Sequence, residues 1–169
     1  MNIVRTQISF EAAHRLYDVA TYSEECRTCL HGHSYKVAVE CSCDKLNDAG
    51  MVVDFKLLKK IIKETIEDKY DHSCILRECD PLKDAIVKEC GNVYVVKENP
   101  TAEWMAELFA AMIDDALAAN GLNSIHVQRL EVQETENNIA IWSRDWTAQF
   151  ERTSNDVDHL TYKVEAVPI

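Results

Sequence analysis

Glycine and proline are scarce, at four and three residues in a chain of 169. Chains that remain disordered are rich in such breakers and in polar residues, so long unstructured linkers are not expected. No apolar run approaches the roughly 20 residues that a membrane-spanning helix needs. The start, Met1-Asn2-Ile3-Val4-Arg5-Thr6-Gln7, lacks the apolar stretch of a secretion signal. Positive charge is also in short supply: 18 Lys and Arg face 29 Asp and Glu, a net charge of −11. Nucleic acids and anionic membrane surfaces attract the opposite balance, so neither is an expected partner. Internal repeats and low-complexity segments are missing too. Cysteine is not lacking: there are seven, at 26, 29, 41, 43, 74, 79 and 90. An odd number in a chain of ordinary length argues against a disulfide scaffold and for a reducing cytoplasm.

The composition is globular, with 47% hydrophobic and 28% charged residues. It suits one domain over residues 1–169 with a real core. In residues 3–16, Ile8, Phe10, Ala12, His14 and Leu16 fall on one face at strand period. In residues 31–43, His31, His33, Tyr35, Val37, Val39, Cys41 and Cys43 do the same, opposite Ser34, Lys36, Glu40 and Ser42. The polar segment 17–30 between them reads as a functional loop. Asn47-Asp48-Ala49-Gly50 is a turn, and Asp54 caps a helix whose apolar stripe is Phe55, Leu58, Ile61, Ile62 and Ile66. Tyr70 to Gly91 reads as irregular, with a turn at Asp80-Pro81, before a short strand at Val93–Val96.

Asn99-Pro100-Thr101 opens a second helix with a broad apolar face, Trp104, Met105, Leu108, Phe109, Met112, Ile113 and Ala116, and Asn120-Gly121 ends it. Residues 125–134 and 138–146 form two further strands about a turn at Glu136-Asn137-Asn138, and Tyr162–Val167 is a possible last strand. Strands and helices in this order indicate an α+β domain, with helices on one face of an antiparallel sheet.

The sharpest local feature is His31-Gly32-His33. Residues two apart on a strand point the same way, roughly 6.5–7 Å apart along the backbone. Both imidazoles can then converge on one ion, and Gly32 adds no side chain to crowd the other face. If the preceding strand pairs antiparallel, His14 joins them. Three imidazoles with a vacant fourth position make a catalytic zinc layout, whereas structural zinc sites are closed by four protein ligands. His72, His126 and His159 do not share this arrangement. Cys26-Arg27-Thr28-Cys29 is a CxxC with no second pair to complete a zinc site, but a thiol near a metal can serve as a thiolate base.

These residues resemble the 6-pyruvoyl-tetrahydropterin synthase and 6-carboxy-tetrahydropterin synthase family. The matching pieces, in order, begin with Phe10-Glu11-Ala12-Ala13-His14 and Cys26 ahead of His31-Gly32-His33-Ser34-Tyr35. Gly50-Met51-Val52-Val53-Asp54-Phe55, Asp71-His72, Asn99-Pro100-Thr101-Ala102-Glu103 and Val132-Gln133-Glu134-Thr135 follow. They span about residues 3–146, leaving about 147–169 as a C-terminal extension. The resemblance implies the tunnelling fold: a four-stranded antiparallel sheet with two helices on one face, closed into a barrel by oligomerisation. It implies a homohexamer of two stacked trimers with active sites between subunits. Zinc falls on His14, His31 and His33, and the catalytic residues on Cys26, Asp71 and His72. Glu134 becomes the anchor of a pterin ring, with Thr101 and Glu103 as further substrate contacts.

The implied substrate is 7,8-dihydroneopterin triphosphate. The first implied activity makes 6-carboxy-tetrahydropterin, acetaldehyde and triphosphate, a lyase step of 7-deazapurine and queuosine biosynthesis. The alternative activity makes 6-pyruvoyl-tetrahydropterin by triphosphate elimination. The stretch from the catalytic cysteine to the HGH motif is shorter in the bacterial 6-carboxy enzymes and longer in the animal 6-pyruvoyl enzymes. Arg27-Thr28-Cys29-Leu30 falls between, so both products stay open. Two rivals of other classes are a non-catalytic zinc or pterin binder and a CxxC redox protein. Arg15, Arg27 and Lys36 are the cations nearest the motifs, as triphosphate contacts or plain surface charges. Cys29 competes with Cys26, but too little loop separates it from His31 to bring it round. Cys26→Ala is therefore expected to lower turnover by about a hundredfold or more while Cys29→Ala stays active. The reverse pattern in steady-state assays would transfer the role to Cys29.

Overall fold

The computed structural model describes residues 2–20, 23–144 and 165–166. Its frame is the pair β1 (Asn2–His14) and β2 (His31–Cys43), antiparallel in unbroken register from Asn2 opposite Cys43 to His14 opposite His31. Period-two alternation sends Phe10, Ala12, Tyr35, Val37, Val39, Cys41 and Cys43 to the buried face. The short helix α1 (Glu24–Thr28) lies in the connection between them. It has too few residues to show helical periodicity, which is why the sequence reads there as loop.

Helix α2 (Phe55–Ile62) starts where expected. The Asp54 carboxylate accepts from the backbone N–H of Lys56 at 2.7 Å and of Leu57 at 3.2 Å. Leu58, Ile61, Ile62 and Ile66 are buried, but Phe55 is 51% exposed and does not belong to the stripe. As the first residue after the cap it lies at the open end of the helix, one turn before the stripe meets the core. The helix widens over Lys63–Glu67, where the Thr65 hydroxyl donates to the Ile61 carbonyl at 2.6 Å, and ends as α3 (Asp68–Tyr70).

The stretch expected to be irregular contains β3 (Ser73–Arg77) and α4 (Lys83–Glu89), followed by β4 (Val93–Val96). β3 runs parallel to both β1 and β4. Cys74, Ile75 and Leu76 are consecutive buried residues, so the strand lacks the alternation that would announce it. Helix α5 (Ala102–Ala119) is capped by the Thr101 hydroxyl, which accepts from the Trp104 N–H at 3.2 Å. It closes before Gly121, whose φ of 76° suits the left-handed position past a helix end.

β5 (Ile125–Gln133) and β6 (Ile139–Ser143) complete the far side as an antiparallel hairpin, and a short β7 (Glu165–Ala166) borders β4. The rest of the expected Tyr162–Val167 strand lies outside the described residues. The sheet order is β6-β5-β2-β1-β3-β4-β7. Among the described residues the expected four-stranded antiparallel sheet is thus corrected to seven strands with a parallel middle, because β3 and β4 join the far edge of β1. Both long helices do pack on one face: side chains of α2 and α5 share a core with β1, β2 and β5. Phe10 is at its centre, stacked on Tyr35 at 5.2 Å and edge-on to Phe109 at 6.0 Å.

Just past His14, Arg15 is buried in a two-pronged pair with Asp80. Its Nε donates to Oδ2 at 2.7 Å and its Nη2 to Oδ1 at 2.5 Å, while Asp80 is 3% exposed. Arg15 is therefore neither a surface charge nor a free cation for a triphosphate. It welds the 77–83 turn to the end of β1. Asp80→Ala leaves a buried guanidinium unpaired and is expected to cost about 3–5 kcal/mol of unfolding free energy by denaturant titration.

Candidate metal centre

The β1–β2 register places His14 opposite His31, and Ala12 opposite His33, so three imidazoles share one face. Ring centroids lie 4.7, 5.2 and 5.0 Å apart for the pairs 14–31, 14–33 and 31–33. One donor atom from each lies within 4.8 Å of the others, and among the described residues this is the one such cluster. Gly32 allows the strands to approach: a Cβ there would meet the Ala12 carbonyl oxygen at 3.3 Å.

Two carbonyls orient the rings. His14 Nδ1 is 2.6 Å from the Pro100 oxygen, and His31 Nδ1 is 2.9 Å from the Cys29 oxygen. A carbonyl only accepts, so each Nδ1 carries the proton and each Nε2 presents a lone pair. His14 Nε2 and His33 Nε2 are buried with no hydrogen-bond partner. Buried polar atoms rarely go unpaired, and a cation at this point would satisfy both. Burial pushes the His14 pKa down to about 4, with the neighbouring His31 and His33 adding to the effect. His33 is also held below its ordinary value, by burial first and His31 second, against an upward pull from Glu134. Neutral imidazole is the form that binds a metal. The donor set fits zinc, with three nitrogens and room for a further ligand.

Glu134 follows β5 and continues the inward parity of Leu130 and Val132. Its Oε1 reaches within 3.4 Å of His14 Nε2 and 3.7 Å of His33 Nε2. Glu134 and Glu103 also line one cleft of about 470 Å³, together with Asn137 and Asn138. Thr101 serves as the α5 cap. The neighbouring Pro100 carbonyl, which fixes His14, was invisible in the sequence because a backbone oxygen carries no residue-type signal. The same holds for the Cys29 carbonyl on His31.

The expected catalytic residues are not all brought together. Cys26 is half-buried on α1, with its carbonyl accepting from the Leu16 N–H at 2.9 Å. Neither its thiol nor that of Cys29 belongs to the imidazole cluster. Arg27 lies 3.7 Å from Glu24, one helical turn away on the exposed surface of α1, and Lys36 is exposed.

Asp71 and His72 do form a pair, with Asp71 Oδ2 and His72 Nδ1 2.9 Å apart. The other Asp71 oxygen accepts from the Glu11 N–H at 2.8 Å, and that bond, ahead of His72, holds the Asp71 carboxyl below its usual range. His72 has φ 56°, and its side chain is 82% exposed. It borders a pocket of about 290 Å³ with Glu11 and Ser34, whose hydroxyl donates to Glu11 at 2.8 Å. His33 and Gly32 line the same pocket, although neither Asp71 nor His72 belongs to the cluster of three imidazoles.

The chain is 32% identical over 133 residues to the 6-carboxy-5,6,7,8-tetrahydropterin synthase of Rickettsia conorii, covering 78% of this chain and 92% of that one. In fold it is similar to an uncharacterized protein of Wolinella succinogenes, with a TM-score of 0.71 at 21% identity over 85% of this chain and 98% of the other. It is also similar to the 6-pyruvoyltetrahydropterin synthase of Plasmodium vivax, with a TM-score of 0.63 at 18% identity over 86% and 99% of the two chains. The family described as 6-pyruvoyl tetrahydropterin synthase matches residues 3–145, which cover both long helices and every strand that holds the three histidines, and the chain belongs to that family.

Proposed function

We propose that this chain is a zinc-dependent 6-carboxy-tetrahydropterin synthase. With uptake of water it converts 7,8-dihydroneopterin triphosphate into 6-carboxy-tetrahydropterin, acetaldehyde and triphosphate, in 7-deazapurine and queuosine biosynthesis. The observation that carries this reading is the pair of buried, unpartnered Nε2 atoms beside the Glu134 carboxylate and its cleft. The relative of Rickettsia conorii that bears the 6-carboxy name supports the choice of product.

His14, His31 and His33 hold the zinc, which when bound supplies Lewis acidity at the side-chain oxygens of the substrate. Glu134 orients the pterin by accepting parallel hydrogen bonds from ring N–H and exocyclic amine, the geometry by which carboxylates hold guanidinium groups. Glu103 lines the same cleft and Thr101 begins the helix beside it. Cys26 takes a proton as thiolate. Asp71 fixes the proton of His72 on Nδ1 and leaves Nε2 to exchange protons with the substrate. The Asp71–His72 pair stands outside the three-imidazole cluster of its own chain. In this reading the protein is a homohexamer with sites between subunits, and a complete site draws the pair from another copy.

His31→Ala and His33→Ala are each expected to reduce bound zinc from about one per chain to a small fraction of that, by elemental analysis after gel filtration. Circular dichroism should stay unchanged. Zinc retained at full stoichiometry in both variants would remove the metal assignment. Mass spectrometry of products from zinc-loaded protein and dihydroneopterin triphosphate is expected to show the 6-carboxy pterin with acetaldehyde. A 6-pyruvoyl product would move the chain to the alternative reaction. Bound zinc in a folded oligomer with no turnover would leave a non-catalytic zinc or pterin binder.

A further inference from the structure

The geometry points to a second role for Glu134: its carboxylate is a fourth ligand of the resting metal centre, and a pterin ring draws it off. Binding of the ring thereby opens the coordination position that the substrate side chain then fills. This rests on the metal reading above and deepens it.

Three observations carry the proposal. The first is spacing. Tetrahedral sites with metal–ligand bonds of about 2.0–2.1 Å have ligand–ligand edges of about 3.3–3.4 Å. Glu134 Oε1 lies 3.4 Å from His14 Nε2 and 3.7 Å from His33 Nε2, one edge at that length and one slightly longer. A charge-assisted hydrogen bond would be shorter, about 2.7–2.9 Å.

The second is the sign of the facing atoms. The Pro100 carbonyl holds the His14 proton on Nδ1, so His14 Nε2 turns a lone pair toward a carboxylate oxygen. His33 Nε2 is buried beside the same oxygen and equally without a partner. Lone pairs converging with an anion repel unless a cation lies between them. The carboxylate stands outside the set of donor atoms that are all within 4.8 Å of one another, so it leans on the His14–His33 edge.

The third is that the Glu134 side chain is 24% exposed and lines the cleft it shares with Glu103. One carboxylate thus borders both the imidazoles and the space that receives the pterin. The parallel donors of a pterin edge take both of its oxygens, and a metal takes at least one. The ring and the metal therefore compete for Oε1, and parallel hydrogen bonds to both oxygens weaken its hold on the metal.

The test uses cobalt(II) in place of zinc in the full chain, with visible spectra and azide titrations. Unsubstituted pterin is the probe, because it has the ring edge but no side chain to reach the metal. In the native protein azide must displace a carboxylate and is expected to bind weakly, and saturating pterin should tighten it by about tenfold or more. Glu134→Ala and Glu134→Gln should bind azide tightly with or without pterin, and their cobalt bands should differ from the native ones. Equal azide affinity and identical bands in all three proteins, at equal cobalt stoichiometry, would overturn the proposal and leave the three-histidine site standing. Pterin that leaves native azide affinity unchanged would also overturn it. Failure of the native chain to take up cobalt would instead overturn the metal reading beneath it.

Discussion

The antiparallel register of β1 and β2 is the constraint on which the rest depends. It sets His14 against His31 and brings His33 beside them, and it also sends Glu11 to the opposite face. A slip of one residue would turn every side chain of one strand over, taking Phe10 and Ala12 out of the core and His14 out of its cluster. The register is held where slippage costs most, by Phe10 stacked on Tyr35 and packed against Phe109 of α5. The same aromatic packing that stabilises the fold therefore fixes the spacing of the imidazoles.

Burial gives the cluster its chemical character. Three histidines in water would each be partly protonated near neutral pH and would repel one another. Removed from water, His14 loses its proton far more readily, and the carbonyls of Pro100 and Cys29 decide which nitrogen stays bare. Few of these effects require a special residue type. They require that loops end where their backbone oxygens meet a ring.

That difference explains what was legible in the sequence. His14, His31 and His33 could be placed because strand alternation is a local rule and the spacing of the histidines obeys it. Helices α2 and α5 showed their caps, Asp54 and Thr101, and their apolar stripes. β3 stayed hidden because it is parallel and buried on consecutive residues, so period-two patterning never arises. The fate of Arg15 was hidden as well: its partner Asp80 lies 65 positions away in the chain, and only the fold joins them. Asp71 and His72 could be named as a pair from adjacency. Their place beside the Glu11 backbone follows from the parallel pairing of β3 with β1, which the sequence did not announce.

The Pro100 carbonyl has a consequence for how this chain can vary. It ends the segment that leads into α5, one residue before the cap Thr101, and at the same time it sets the tautomer of His14. Length changes in the exposed turn at 47–50 fall outside the core and outside the site. One residue inserted between Asn99 and Trp104 would instead turn the start of α5 by about 100° relative to the sheet, or pull the carbonyl off the ring. The junction is thus a place where drift in sequence is tolerated and drift in length is not.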